Sequence, residues 1–360
     1  MLIVRGSIKD YDWGIVDGLA PWSDASGGPQ AELWFGVHPG GPSPLVDDAG
    51  EPTGEHLADH FDIEAIPLLV KLLAAAKPLS VQVHPRRRVA LDQYRAQQEQ
   101  DSGPRIYSDP FEKTEMLVAL TEFEAFCGWR TMDQAVSMLG TIDGTEAAVS
   151  ALRTGKIDEA IRTLLDLGSA ARIAQLPRAA QGAGLHPDEI AAYQTVATLY
   201  ADDAGALVTP LLDYIALAPG EAVYVPAGVP HSYIRGTGLE VMTSSDNVVR
   251  LGLTSKPVHV DHAINALVPD MRPQVLRTGH GDLIWPIDSP FVVRVLREGS
   301  ERILSGSYRI VLLIEGSARV ESEEAESSLR RGTAAVLGST DPDAVIHADG
   351  LVAIIQSTER

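Results

Sequence analysis

The 360-residue chain contains one cysteine, Cys127, so no internal disulfide can form and nothing argues for an oxidising compartment. Phe126 and Trp129 stand beside it, which favours a buried structural thiol over a nucleophile. Basic residues are also scarce: 29 Lys plus Arg face 49 Asp plus Glu, a formal net charge of -20. Phosphate-backbone recognition begins with a basic surface, so no nucleic-acid partner is expected. Long apolar runs are missing too. The opening MLIVRGSIKDYDWG has three apolar residues between Met1 and Arg5, too few for a signal-peptide core. No run approaches the roughly 18 residues of a membrane span. A cytoplasmic monomer or weak oligomer with no membrane partner is the expectation. A small anionic substrate stays compatible with this charge only if a few of the Lys and Arg converge on one concave site.

What is present is ordinary globular composition, 45% hydrophobic and 22% charged, enough for a substantial core. From 3 to 126 the text is punctuated by Gly and Pro, with short apolar runs at 68–73 and 79–83, as in a multi-stranded antiparallel domain. Between 132 and 217 the rhythm turns helical. Ile157, Ile161, Leu164 and Leu165 fall at i, i+4, i+7 and i+8, and Ile190, Val196, Ala197 and Tyr200 line a second stripe. Pro187 and Asp188 open that second helix. Strand signals resume at 222–225, 232–234, 239–242 and 248–253. After a connector at 269–286, short strands recur at 291–296, 309–314, 318–320, 334–337 and 351–356, with mostly aliphatic interior positions that suggest support rather than chemistry. The acidic run 321–326 reads as a solvated hairpin turn. The fold expected is mainly β with an α-helical insertion: a discontinuous catalytic β-barrel domain at 1–130 and 218–268, the insertion at 131–217, and a second β domain of related shape at 269–360.

Four stretches carry chemistry. In KPLSVQVHP (77–85), strand alternation puts Ser80, Gln82 and His84 on one face and Leu79, Val81 and Val83 on the other. A hydroxyl, an amide and an imidazole either converge inside a barrel, where they need partners, or line a wet edge. In EKTEMLVAL (112–120), Lys113 and Glu115 lead an otherwise apolar strand side. A carboxylate so placed sits at a strand mouth in water or pairs with a cation inside, and taken alone the wet placement is preferred. In PGEAVYVPAGVPHSYIRG (219–236), Gly220, Pro226, Gly228 and His231 have the turn, strand, turn spacing that delivers a histidine to the interior of a cupin barrel; Arg235 stands where cupins often place Asn. Gln82, His84, Glu115 and His231 together make an N,O set with one negative charge, suited to zinc and its neighbours. The fourth stretch, GLEVMTSSDNVVRLGLTSKP (238–257), adds Glu240, Asp246, Arg250 and Lys256. An Arg inside VVRLGL needs an anion, and a structural salt bridge is the simplest one.

At these stretches the sequence resembles the type I mannose-6-phosphate isomerase (phosphomannose isomerase) family. The likeness runs in order through YDWG (11–14), AELWFGVHPGGPS (31–43), PLLVKLLAAAKPLSVQVHP (67–85), DPFEKTEMLVALTEFEAFCGWR (109–130), LAPGEAVYVPAGVPHSYI (217–234) and SSDNVVRLGLTSK (244–256). The resemblance implies a cupin catalytic domain with a second cupin-like C-terminal domain. It also implies one zinc ion held by Gln82, His84, Glu115 and His231, and interconversion of mannose 6-phosphate and fructose 6-phosphate through an enediol(ate), supplying mannose metabolism and GDP-mannose. Arg250 carries over as the active-site arginine, and Ser80, Lys113, Glu240 and Lys256 belong to the expected pocket. Glu240 is the preferred proton-transfer residue with Lys113 and Asp246 behind it, while Ser80 and Lys256 are candidates for the phosphate. Two departures stand out. Glu112 replaces a common His, and Arg86 and Arg87 replace Asn-Lys after QVHP, giving with Arg88 a triple-Arg cluster expected in solvent, with guidance of phosphate inward as the alternative. Two other readings share the barrel: a non-catalytic metal- and sugar-phosphate-binding cupin, and a metal-dependent cupin oxygenase, which Gln82 disfavours.

Overall fold

The computed structural model of the protein describes residues 1–99, 103–277 and 283–358; the part of the 269–286 connector at 278–282 lies outside them. Two large antiparallel sheets lie face to face, and a group of helices covers one flank. Leu68–Ala75 shows why the sheets meet. Both of its faces are buried, as its near-continuous apolar text requires. Leu73 and Ala75 point into a barrel with Leu117, Phe123, Val225 and Tyr233. Leu68, Val70 and Leu72 point the other way, onto Phe291, Ile310 and Leu312 of the C-terminal sheet.

The strand His231–Thr243 closes the first barrel. Its early residues pair with Phe123–Trp129 and with Gln82, and its later ones pair with Glu115–Ala119 and Leu68–Ala75. One long strand thus belongs to both walls, as a closed or half-closed barrel demands.

Helices Met132–Leu139, Glu146–Arg153, Ile157–Asp166 and Pro187–Leu199 lie in the stretch whose period is helical. Pro187 is the first residue of its helix. Ile161, Leu164 and Val196 share a core with Val81, Val83, Phe126, Val249 and Leu251. The helices therefore back the outer face of the strand whose inner face carries Gln82. Their run ends before 217, because Leu212–Leu217 is a strand paired with Phe123–Trp129. A helix the sequence did not announce, Arg87–Gln98, fully buries only Ala90. With so narrow an apolar face, periodicity gives no signal there.

In the C-terminal sheet Phe291–Ile303 and Ala344–Ser357 form the longest pairing, and Ser317–Ser322 turns back into Glu326–Leu329 through the acidic segment. Its interior cluster, with Ile303, Val311, Val320, Ile346 and Ile354, is aliphatic. Leu2–Arg5, grouped by sequence with the N-terminal barrel residues, pairs with Thr333–Leu337 and with Leu45. The two β units exchange strands. Among the described residues no helix is long and apolar enough to cross a membrane.

Candidate metal centre and active site

Strand register assembles the site. Arg250 pairs with Gln82, Gln82 with His231, and His231 with Cys127, and directly opposed residues project to the same face. Glu115 opens the neighbouring strand and is buried, not in the wet placement that its stretch taken alone favoured. His84 Nε2 and His231 Nε2 lie 3.3 and 3.2 Å from Glu115 Oε2, and the ligand atoms of this trio fall within 4.8 Å of one another.

The protonation pattern is set from outside. His84 Nδ1 lies 2.8 Å from the Asn247 carbonyl oxygen and His231 Nδ1 lies 3.1 Å from that of Val229. A carbonyl only accepts, so each Nδ1 carries the proton and each Nε2 turns a lone pair inward. Among the described residues, His84 Nε2 and Glu115 Oε2 are fully buried with no hydrogen-bond partner. Buried polar atoms left unpaired and aimed at one point fit a cation. Gln82 Nε2 is 3.1 Å from His231 Nε2, and turning that amide over offers Oε1 to the same point.

Burial pushes the His84 imidazole down to about 4, assisted by the Lys113 ammonium. Burial alone would raise Glu115, but Lys113, 2.8 Å away, and the two histidines outweigh it and hold the carboxyl well below its usual range. A neutral imidazole and an ionised carboxylate are the forms that bind metal.

A second group extends the wall. Lys71 opposes Glu240 on one side and Trp34 on the other. Its ammonium sits 3.0 Å from Glu240 and 3.4 Å from Glu32, and the Trp34 indole N–H donates to Glu32 at 2.9 Å. Burial lowers the Lys71 pKa, yet the two carboxylates outweigh that and raise it. Burial pushes Glu240 up, against the pull of Lys71.

Both groups face an open cavity of about 740 Å³, also lined by Ser80, Asp246, Arg250 and Lys256. The salt bridge expected for Arg250 is absent among the described residues. Its guanidinium makes one long contact, 3.4 Å to the Val248 carbonyl, and burial lowers its pKa. Lys256 is lowered by burial and then by Arg250. Two cations without a carboxylate partner among the described residues, in a polar cavity, leave room for an anion.

Other expectations resolve elsewhere. Glu112 lines a separate hollow and accepts the Arg87 backbone N–H at 3.1 Å. Arg86, Arg87 and Arg88 are exposed. Arg235 pairs with Glu124. Cys127 is buried, which pushes its thiol up and away from reactivity. Sequence reasoning missed Glu32, Trp34 and Lys71 as site residues. The signal was available in LLVKLLAA, where a lysine flanked by apolar residues on a two-faced strand demands a buried anion.

An antiparallel barrel with paired histidines and a carboxylate at its interior defines a metal-site cupin. The phosphomannose isomerase type I catalytic domain model matches residues 1–132. The chain is 34% identical to mannose-6-phosphate isomerase of Schizosaccharomyces pombe, covering 74% of this chain and 73% of that one. It is 29% identical to the enzyme of Salmonella typhimurium over 93% and 94%. A crystal structure of a mannose 6-phosphate isomerase bound with zinc and yttrium superposes with a TM-score of 0.83 at 26% identity, over 100% of both chains. The chain belongs to the type I mannose-6-phosphate isomerase family.

Proposed function

We infer that the protein is a zinc-dependent aldose-ketose isomerase that interconverts D-mannose 6-phosphate and D-fructose 6-phosphate. The observation that carries this reading is the inward-facing pair of Nε2 lone pairs on His84 and His231 with Glu115 between them, beside a cavity that Glu115 and Gln82 line together with Arg250 and Lys256, which have no carboxylate partner among the described residues. Gln82, His84, Glu115 and His231 would hold the metal, which when bound supplies Lewis acidity toward the sugar oxygens.

The reaction moves a proton between C2 and C1 once the ring is open. Glu240, fixed to the cavity wall by Lys71, is the proposed carrier of that proton. Arg250 cannot serve as a base at its ordinary pKa, and its place beside Gln82 suits it to stabilise negative charge developing on the sugar. Ser80 and Lys256 are assigned to the phosphate, Lys113 to fixing Glu115, and Asp246 to a sugar hydroxyl. We also propose, as working domains, a catalytic unit at 1–130 and 218–268, a helical unit at 131–217 and a C-terminal unit at 269–360, with the strand exchange noted above.

The test is a coupled assay following both directions of the sugar-phosphate exchange, with metal analysis on the same preparation. One zinc per chain and turnover lost on exhaustive chelation are expected. Full turnover after chelation removes the metal from the reading, metal binding without turnover turns it into a binding protein, and oxygen uptake turns it into an oxygenase.

A further inference from the structure

One buried histidine belongs to neither group described above. His38 lies in the loop after Glu32–Phe35, almost fully buried, and does not line the cavity. Its Nδ1 accepts the Gly40 backbone N–H at 3.1 Å. A nitrogen that accepts carries no proton in the neutral ring, so Nε2 bears the hydrogen. Nε2 lies 3.0 Å from Asp246 Oδ2. The ring meets Trp34 edge to face, centroids 5.0 Å apart at 89°, and Trp34 in turn holds Glu32. The imidazole therefore has one orientation and one tautomer, and its single free donor is spent on a carboxylate from the turn around 244–248, far away in sequence.

Asp246 is the mirror case. Its side chain is half-exposed, 53% against 8% for His38, and it lines the cavity. Among the described residues no other side chain donates to its carboxylate, although its backbone N–H is anchored on Asp109 at 2.8 Å. A short exposed carboxylate on a turn samples several rotamers unless something holds it. Here one oxygen is held by a rigid donor from behind, which leaves the other for the cavity. The His38 bond is also the first cause of the lowered Asp246 pKa.

We propose that His38 is a positioning residue for the isomerase reaction: it fixes the Asp246 carboxylate in one rotamer against the substrate's hydroxyl groups. The proposal rests on the functional reading of the cavity given above. It places in the active site's support a loop that contributes no atom to the cavity surface.

Four variants test it: His38→Phe, which keeps a flat ring against Trp34 but has no donor; His38→Gln, whose amide N–H reaches near the place of Nε2; Asp246→Asn; and His38→Phe with Asp246→Asn. His38→Phe is expected to lower kcat about tenfold with KM within about twofold, since a misplaced catalytic contact acts mainly on the transition state. Zinc content and thermal midpoint should stay at the wild-type level, and His38→Gln should recover most of the loss. In the Asp246→Asn background His38→Phe should add less than about twofold, because the two residues act as one unit. Wild-type kcat in His38→Phe, a tenfold loss that multiplies undiminished onto Asp246→Asn, or a loss that tracks zinc and thermal midpoint without recovery in His38→Gln overturns the proposal alone. Absence of turnover in the wild-type protein overturns it together with the functional reading.

Discussion

Lys71 is buried between two carboxylates, on a strand that is otherwise apolar. Removing one partner of a buried ionic group leaves the others uncompensated and costs about 3–5 kcal/mol. Lys71→Met fits the volume but strands Glu32 and Glu240 together. It should lower stability by about that amount in urea denaturation, and an unchanged midpoint would mean that this lysine does not compensate the two carboxylates. Arg250 is the opposite case, a cation the fold does not neutralise. Arg250→Ala should keep the zinc, because the histidine outer nitrogens are fixed by backbone carbonyls, while kcat/KM falls about 10²–10³-fold. Zinc analysis beside steady-state rates checks this, and near-wild-type rates would take Arg250 out of the chemistry. At this scale the sequence was most legible where a motif supplied spacing, as for His231. It was least legible where the partner comes from another strand. Taken by their own stretches alone, Glu115 read as a wet carboxylate and Arg250 as half of a salt bridge, because neither Lys113's reach nor the missing anion is visible along a single strand; only the four-residue ligand set pointed Glu115, and the family resemblance Arg250, into the site.

Between the strands Ala222–Val225 and His231–Thr243 runs the turn that delivers His231. Gly228 has φ +97°, and a Cβ there would meet Val268 Cγ2 at 2.4 Å. Gly220, at the preceding turn, has φ +92° with open space around it. Gly220→Ala should therefore cost only the left-handed backbone penalty, about 1–2 kcal/mol. Gly228→Ala adds a steric clash and shifts the Val229 carbonyl that orients the His231 ring. A larger loss of thermal stability and weaker zinc retention against a chromophoric chelator are expected for Gly228→Ala than for Gly220→Ala; equal behaviour would deny the turn its role in placing the ligand. Elements of this kind were readable because strand alternation and Gly-Pro punctuation are local signals. Arg87–Gln98 was not, since its stability comes from tertiary contacts such as the Gln97 side chain on the 106–107 backbone. Leu212–Leu217 was absorbed into the helical stretch because its one-sided burial becomes evident only against Phe123–Trp129.

The molecule as a whole carries a net charge of -20, yet its cavity sets Lys71, Lys77, Arg105, Lys113, Arg250 and Lys256 against Asp12, Glu32, Glu115, Glu240 and Asp246, so it carries no share of the acidic excess. The acidic excess therefore lies mostly on the outer surface, and it never opposed a phosphorylated substrate. How the β units are joined matters more for stability. The core between them draws Leu33, Phe35, Leu68 and Val70 from one sheet and Phe291, Ile310 and Leu312 from the other. Leu2–Arg5 sits in the C-terminal sheet while the strand Ser7–Lys9, next along the chain, pairs with Glu32–Phe35 of the catalytic one. A shared core and an exchanged strand make separate unfolding of the two units unfavourable, because either would expose the other's apolar face. Val4 is 0% exposed, far from the metal ligands in sequence and placed against the C-terminal sheet. Val4→Asp buries an unpaired carboxylate and should destabilise the protein by about 3–5 kcal/mol. If the units unfold together, zinc release and loss of far-UV ellipticity shift to lower urea in step, by the same amount. If they are independent, ellipticity splits into two transitions and zinc release stays where it is in the wild-type protein. Coincident curves are the expected result, because the Leu68–Ala75 strand that carries Lys71 on one face holds the C-terminal sheet with the other.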